Sequence, residues 1–340
     1  MELLYKLIRL NSRIQSHRLK FIAAASANAL GVRHLSVRLD PAMACNLRCV
    51  MCTFSGEPQH RGKVSFTTAE LVRLADMFFP LALQVVVGCG AEPTLHKGCL
   101  QLVEMAKRSG VPSVGLVTNG VLLDESKLEQ LKHHGLDELI LSLHGVRKET
   151  YERLMVGASY EHFMQLLETV DRVRAGSGSS FSLRLNYTVC PDNLEELADF
   201  FDEFGKFRID TFQVRPYAEI GGKYQSPGLE SHRSRYDEIV RSLASTCKQR
   251  GIVFLANTSD PTFKDKDSGY SAVILDAVRR DISPDLVWRE DFDWQNETYA
   301  EYCRRIGWSR HLLRMALASR SEAVRNSFYA SRAALRYDVK

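Results

Sequence analysis

Three cysteines crowd into one short segment. Asp40-Pro41-Ala42-Met43-Ala44-Cys45-Asn46-Leu47-Arg48-Cys49-Val50-Met51-Cys52 sets Cys45, Cys49 and Cys52 at spacings of three and two intervening residues. Thiolates hold iron–sulfur clusters, and a 4Fe-4S cube takes four of them. A loop that supplies only three leaves one iron open to a substrate or cosubstrate, so the incomplete ligand set implies chemistry at that iron. The spacing matches neither ferredoxin pattern, which argues against a simple electron carrier. A structural zinc site would need a fourth ligand, for which His60 is the nearest candidate, and a redox pair would need only two thiols.

Such a loop needs a rigid frame. From His34 to about Val253, short β-branched runs alternate with longer amphipathic stretches, the pattern of strand–helix units around a parallel sheet, so the fold class is α/β. Strands are expected near Leu35–Leu39, Leu83–Val87, Ser113–Val117, Glu138–Leu143, Phe181–Val189 and Thr211–Val214. Helices are expected over Thr68–Phe79, Lys97–Ser109, Glu125–His133, Tyr160–Arg174, Leu194–Phe204 and Arg233–Gln249. Turn chemistry at Ser109-Gly110, Asn119-Gly120 and Gly176–Ser180 punctuates them. The cysteine loop then follows the first strand, and Gly88-Cys89-Gly90-Ala91-Glu92-Pro93 follows the second. Past Val253 the rhythm fades: Asn257–Tyr270 reads as a polar loop, with helices from about Ala272 and from Glu297.

Cys45-x-x-x-Cys49-x-x-Cys52 after the first strand of such a series resembles the radical S-adenosylmethionine superfamily over roughly His34–Val253. The resemblance implies a partial (β/α)6 TIM-like barrel with an N-terminal helix and a mainly helical C-terminal extension. It assigns the cluster to Cys45, Cys49 and Cys52, with the amino and carboxylate groups of S-adenosylmethionine on the fourth iron. Met51 stands where the family usually has an aromatic residue, and supplies an apolar surface against adenine. Gly88–Pro93 resembles the Gly-Gly-Glu-Pro motif that binds the cosubstrate's amino group, with Ala91 in place of the second glycine. Gly90, Ala91, Glu92 and Pro93 are thereby cosubstrate contacts, as are Thr118 and Asn119 of a Thr-Asn-Gly turn. Ser142, Arg184 and Asn186 sit where such enzymes place ribose or carboxylate ligands. His144, Arg215 and Tyr217 are further candidates for the cavity, weighed against plain structural roles. The reaction expected is reductive cleavage to a 5′-deoxyadenosyl radical that takes hydrogen from a substrate the sequence does not name: a small molecule, peptide or cell-envelope precursor. A reducing partner such as flavodoxin or ferredoxin is implied. The feel is of the SPASM/twitch-type branch, but only Cys303 follows Val253, so a full auxiliary cluster is not expected. Cys89 and Cys303 are candidate hydrogen donors.

Three units are expected: a basic amphipathic helical segment over 1–33, the core over 34–253, and an extension over 254–340 that covers the substrate site. Basic residues crowd the ends: Lys6, Arg9, Arg13, Arg18 and Lys20 face only Glu2, and nine Arg and Lys from Arg304 onward face only Glu322 and Asp338. They read as solvated faces of helices packed by Leu3, Leu4, Leu7 and Ile8 and by Leu312, Leu313, Met315 and Leu317, or as attraction for an anionic partner. A net charge of only +4 makes no case for nucleic acid at whole-chain scale. No signal core or spanning helix is readable, and clustered thiols suit a reducing compartment, so a cytoplasmic location is expected. Two alternatives remain: a non-catalytic iron–sulfur or zinc redox sensor, and an RNA-modifying enzyme of the same superfamily.

Overall fold

The structure is a computed structural model that describes residues 14, 16–52, 63–178, 180–217, 229–256, 277–319 and 338–339. Its strands are β1 Leu35–Leu39, β2 Ala82–Val87, β3 Ser113–Thr118, β4 Glu138–Leu143, β5 Ser182–Val189, β6 Thr211–Pro216, β7 Val253–Ala256, β8 Arg279–Ser283, β9 Leu286–Val287 and β10 Asp338–Val339. Its α-helices are α1 His17–Leu30, α2 Thr68–Phe78, α3 Cys99–Arg108, α4 Glu125–His133, α5 Lys148–Leu154, α6 Tyr160–Ala175, α7 Phe200–Phe204, α8 Arg233–Arg250, α9 Tyr299–Arg305 and α10 Trp308–Leu317.

One sheet runs β10-β7-β6-β5-β4-β3-β2-β1-β8-β9. From β8 through β7 all neighbours are parallel, while β9 and β10 flank antiparallel, so the sheet is an open, partial barrel. Helices start where side chains satisfy their first amides. Thr67 and Glu70 form a reciprocal capping box for α2, Asp124 caps α4, Ser159 caps α6, and Thr298 with Glu301 caps α9.

Strand side chains alternate between two faces. Leu35, Val37, Leu39, Leu139, Leu141, Leu143, Leu183 and Leu185 are fully buried in the core beneath the helices. The other face is polar: Ser36 and Arg38 on β1, Gln84 on β2, Glu138 and Ser142 on β4, Arg184 and Asn186 on β5, Gln213 and Arg215 on β6, and Arg279 and Asp281 on β8.

The six expected strands are present, with ends that shift by a residue or two. Leu194–Phe204 forms not one helix but a 3-10 turn, Glu195–Asp199, followed by α7, and the short helix α5 was not anticipated. Behind Val253 the chain is less helical than expected. Arg279–Ser283, which a helix from Ala272 would have continued through, is a strand, because pairing with β1 overrides a charged sequence without a β-branched run. Of the expected packing residues, Leu312 and Met315 are buried, whereas Leu313 and Leu317 lie exposed on α10. Residues 1–13, His60 and the 257–270 stretch lie outside the described residues. No helix among the described residues is long and apolar enough to cross a membrane.

Candidate active site

The register brings the C-terminal ends of β1, β2 and β3 side by side, Leu39 opposite Val87 and Val87 opposite Leu116, so the loops that follow meet at one edge of the sheet. The cysteine loop is pinned along its length by backbone hydrogen bonds from Met43 to Val64 (2.7 Å), Arg48 to Val156 (2.9 Å), Val50 to Leu154 (2.9 Å) and Cys52 to Cys49 (3.0 Å). α5 thereby buttresses the cysteine loop from beyond β4. Cys45, Cys49 and Cys52 are in no disulfide, and each is half-buried. Burial pushes Cys49 up to about 12, with the neighbouring Cys52 and Cys45 adding to the rise. Burial, then Glu92 and Cys52, also raises Cys45, against a lowering pull from the Leu47 amide and Asn119.

The three thiols therefore lie within electrostatic reach of one another. Among the described residues no three His, Cys, Asp or Glu side chains gather as a single metal ion would require. Each thiolate of a cubane binds a different iron, and three half-buried thiols on one loop suit that ligand set. Cationic irons would offset the cost of ionising these desolvated thiols.

The second loop is fixed from both sides. Gly88 has φ +80°, and a Cβ there would lie 2.4 Å from the Val117 carbonyl oxygen and 2.5 Å from Pro93, so only glycine fits. Behind it, the buried Asp40 carboxylate accepts from the Cys89 amide (Oδ1, 2.7 Å), the Gly90 amide (3.1 Å to each oxygen) and the Ala91 amide (Oδ1, 3.4 Å). Ahead of it, Glu92, 2% exposed, accepts at Oε1 from the Thr94 amide (3.1 Å), the Thr94 hydroxyl (2.5 Å) and the Thr118 hydroxyl (2.7 Å), and at Oε2 from the Asn119 amide (2.8 Å). Asn119 closes the circuit: its Nδ2 donates to Asn46 Oδ1 (2.8 Å) and, at 3.8 Å, to the Cys45 sulfur. A continuous set of hydrogen bonds thus joins the cysteine loop to both strand-end turns.

The remaining expected residues divide. Ser142 and Asn186 are register neighbours on the polar face, and the buried Asn186 Oδ1 has no hydrogen-bond partner among the described residues. Met51 and Pro93 belong to the two loops already described. Arg184 sits nearer the opposite strand ends, its guanidinium shared between Glu138 (Nε–Oε1, 3.0 Å) and Gln213 (3.1 Å), so its charge is engaged away from the loops. His144 lies beyond β4 with Nδ1 on the Leu143 carbonyl, and Arg215 donates to Thr188. Tyr217 donates its amide to Val189, at the end of β5.

Cys89 is exposed in the second loop, among the charges of Arg38, Asp40, Asp281 and Arg279. Cys303 is buried on α9 beside Tyr299, which binds Arg280. Arg280 belongs to the helix-covered face of β8, where it stacks 3.9 Å over Trp288. That places Cys303 across the sheet from the polar face and removes the geometric basis for its acting as a hydrogen donor there.

Asp40 and Arg38 carry no motif of their own in the sequence. The available signal was an acid immediately after the first strand and an arginine at an alternation position that should face away from the apolar core.

Comparison with known proteins bears on the same residues. The Radical SAM superfamily model matches residues 41–204. A probable GTP 3′,8-cyclase of Sulfurisphaera tokodaii is 25% identical over 217 residues, 63% of this chain and 64% of that protein. A second, from Methanopyrus kandleri, is 36% identical over 127 residues, 37% of this chain and 40% of its own length. The chain thus spans less than two thirds of these relatives. Among solved structures, Streptococcus suis SuiB bound to S-adenosylmethionine aligns with TM-score 0.60 at 18% identity, covering 81% of this chain and 65% of SuiB. The protein anSMEcpe with bound AdoMet aligns with TM-score 0.56 at 16% identity, covering 84% of each chain. These structural likenesses show a shared fold.

Proposed function

Because this chain belongs, through residues 41–204, to the radical S-adenosylmethionine superfamily, an enzyme family whose cofactors are a 4Fe-4S cluster and S-adenosylmethionine, we propose that Cys45, Cys49 and Cys52 hold the cluster and that the loops after β2 and β3 seat the cosubstrate. The observation that carries this reading is the hydrogen-bonded circuit from Cys45 through Asn119 and Glu92 to the loop of Gly88. When bound, the cluster supplies an electron that cleaves the sulfonium to a 5′-deoxyadenosyl radical able to abstract hydrogen.

The protein's own residues bind, orient and exclude. Asn119 donates toward the Cys45 sulfur, an interaction that favours the thiolate. Ser142 and the unpartnered Asn186 carbonyl offer hydrogen bonds to a ribose or carboxylate. The apolar core beneath the loops keeps the frame rigid, so reacting atoms are held close without reorganisation.

The substrate we propose is a small anionic molecule on the polar face, where Arg38 and Arg215 point, and the first candidate is a guanine nucleotide, because curated relatives are named GTP 3′,8-cyclases. A flavodoxin- or ferredoxin-type protein is the proposed reductant.

Anaerobic reconstitution followed by dithionite and S-adenosylmethionine tests the core of the reading. The expected result is 5′-deoxyadenosine from the wild type and none from Cys45→Ala/Cys49→Ala/Cys52→Ala. Product from the triple variant, or binding of a single zinc ion with no cleavage, overturns it. Deuterium passing from labelled GTP into 5′-deoxyadenosine supports the nucleotide, and its absence sends the search to other anions.

A further inference from the structure

Asp40 has no place in the chemistry described so far, yet it is nine-tenths buried and its carboxylate gathers three consecutive backbone amides, those of Cys89, Gly90 and Ala91. Successive amides turned onto one anion form a nest. In a trans peptide the carbonyl lies opposite the amide hydrogen of the same plane. Holding the amides of residues 89, 90 and 91 on Asp40 therefore turns the carbonyl oxygens of Gly88, Cys89 and Gly90 away from Asp40. The negative charge behind the planes also polarises them, which strengthens those carbonyls as acceptors.

Glu92, the carboxylate that the sequence suggests for an ammonium, has both oxygens engaged by Thr94, Thr118 and Asn119. Asp40 is in turn held in place: directly after β1 ends at Leu39, its amide donates to the Ile282 carbonyl in β8 (2.9 Å).

We propose that Asp40 is the positioning residue of the cosubstrate's amino group: by fixing three peptide planes it presents the carbonyls of Gly88, Cys89 and Gly90 to the ammonium of S-adenosylmethionine, while Glu92 serves as the tie to β3. The assignment rests on the reading that this loop seats S-adenosylmethionine.

The test uses the cluster-loaded full chain and two ligands, S-adenosylmethionine and its analogue with hydrogen in place of the α-amino group, each measured by equilibrium dialysis. Asp40→Asn keeps the shape but places an NH2 against amide donors and removes the charge. It is expected to weaken S-adenosylmethionine at least about tenfold while leaving the analogue within about twofold. The perturbation of the reduced cluster's EPR signal by S-adenosylmethionine should shrink in parallel.

Equal weakening of both ligands, or no weakening of either, overturns the assignment, since a merely structural role would act on both alike. If Asp40→Asn fails to retain iron, Asp40→Ser is measured in the same way, and loss of iron in both variants also overturns it by making Asp40 a support of the cysteine loop. Wild-type protein that binds neither ligand fails the underlying reading as well, which separates the two failures.

Discussion

At Glu92 a single buried carboxylate answers donors from three residues, all of them N–H or O–H groups. Glutamine there would set an NH2 against another donor. Glu92→Gln is therefore expected to cost about 1–3 kcal/mol of stability in the cluster-free protein, read as a lower urea midpoint at unchanged m-value. His144 supplies a pH dependence. Burial, and then the charge of Arg215, lower its value to about 4 from the 6.5 of a free imidazole. Between those values the folded chain binds fewer protons than the unfolded one, so the stabilisation from His144 is complete above pH 6.5 and is lost as pH falls toward 4. His144→Asn should flatten the decline in urea midpoint over that window, and an unchanged slope would refute it. At this scale the sequence exposed the candidate ligands but not the residues that support them. Cys45, Cys49 and Cys52 declare themselves by spacing, and Glu92 by its motif. Asp40 gives no such sign, because its role is set by amides fifty residues away that only the sheet brings near. The Arg184 position could be read, but not that Glu138, on the adjacent strand, engages its guanidinium.

Elements were legible where local pattern and tertiary demand agree. β1 and β4 fall where β-branched and apolar alternation puts them, and α2 begins at the Thr67–Glu70 capping box that the chain itself supplies. β8 is the reverse case: Arg-Arg-Asp-Ile-Ser has weak strand character, and it becomes a strand only because β1 offers it an edge. The turn out of β2 carries a sharp test. Gly88→Ala would put a methyl within 2.4 Å of the Val117 carbonyl oxygen at a left-handed φ, so backbone must move. It is expected to lower stability by about 2 kcal/mol or more and to abolish S-adenosylmethionine binding, read by thermal unfolding and equilibrium dialysis. Gly90→Ala makes the control for stability alone, since its Cβ would find only ordinary contact with Asp40 at 3.4 Å.

Across the whole molecule the eight cysteines separate into the trio of the loop after β1 and five others, of which Cys99, Cys190, Cys247 and Cys303 are buried and Cys89 is exposed. Replacing Cys99, Cys190, Cys247 and Cys303 singly by alanine should leave iron and sulfide per chain, and 5′-deoxyadenosine formation, at wild-type levels while lowering thermal stability. Cys303→Ala in particular should leave turnover intact, because the sheet stands between it and the polar face; a selective loss of substrate product would reverse that placement. The C-terminal aromatics form a second consolidated region in which Arg280, fully buried, lies among Trp288, Tyr299 and Trp308.

The late return of β8 to the side of β1 also orders events during synthesis. On the ribosome the cysteine segment emerges long before its flanking strand exists, leaving the margin of β1 bare and Asp40 without the Ile282 carbonyl that anchors it. A nascent polypeptide halted before Arg279 would expose that margin to foreign pairing. Iron loading is accordingly expected to follow release of the finished chain, and ribosome-stalled intermediates ending near residue 270 should acquire little iron from a scaffold donor that readily fills the completed protein.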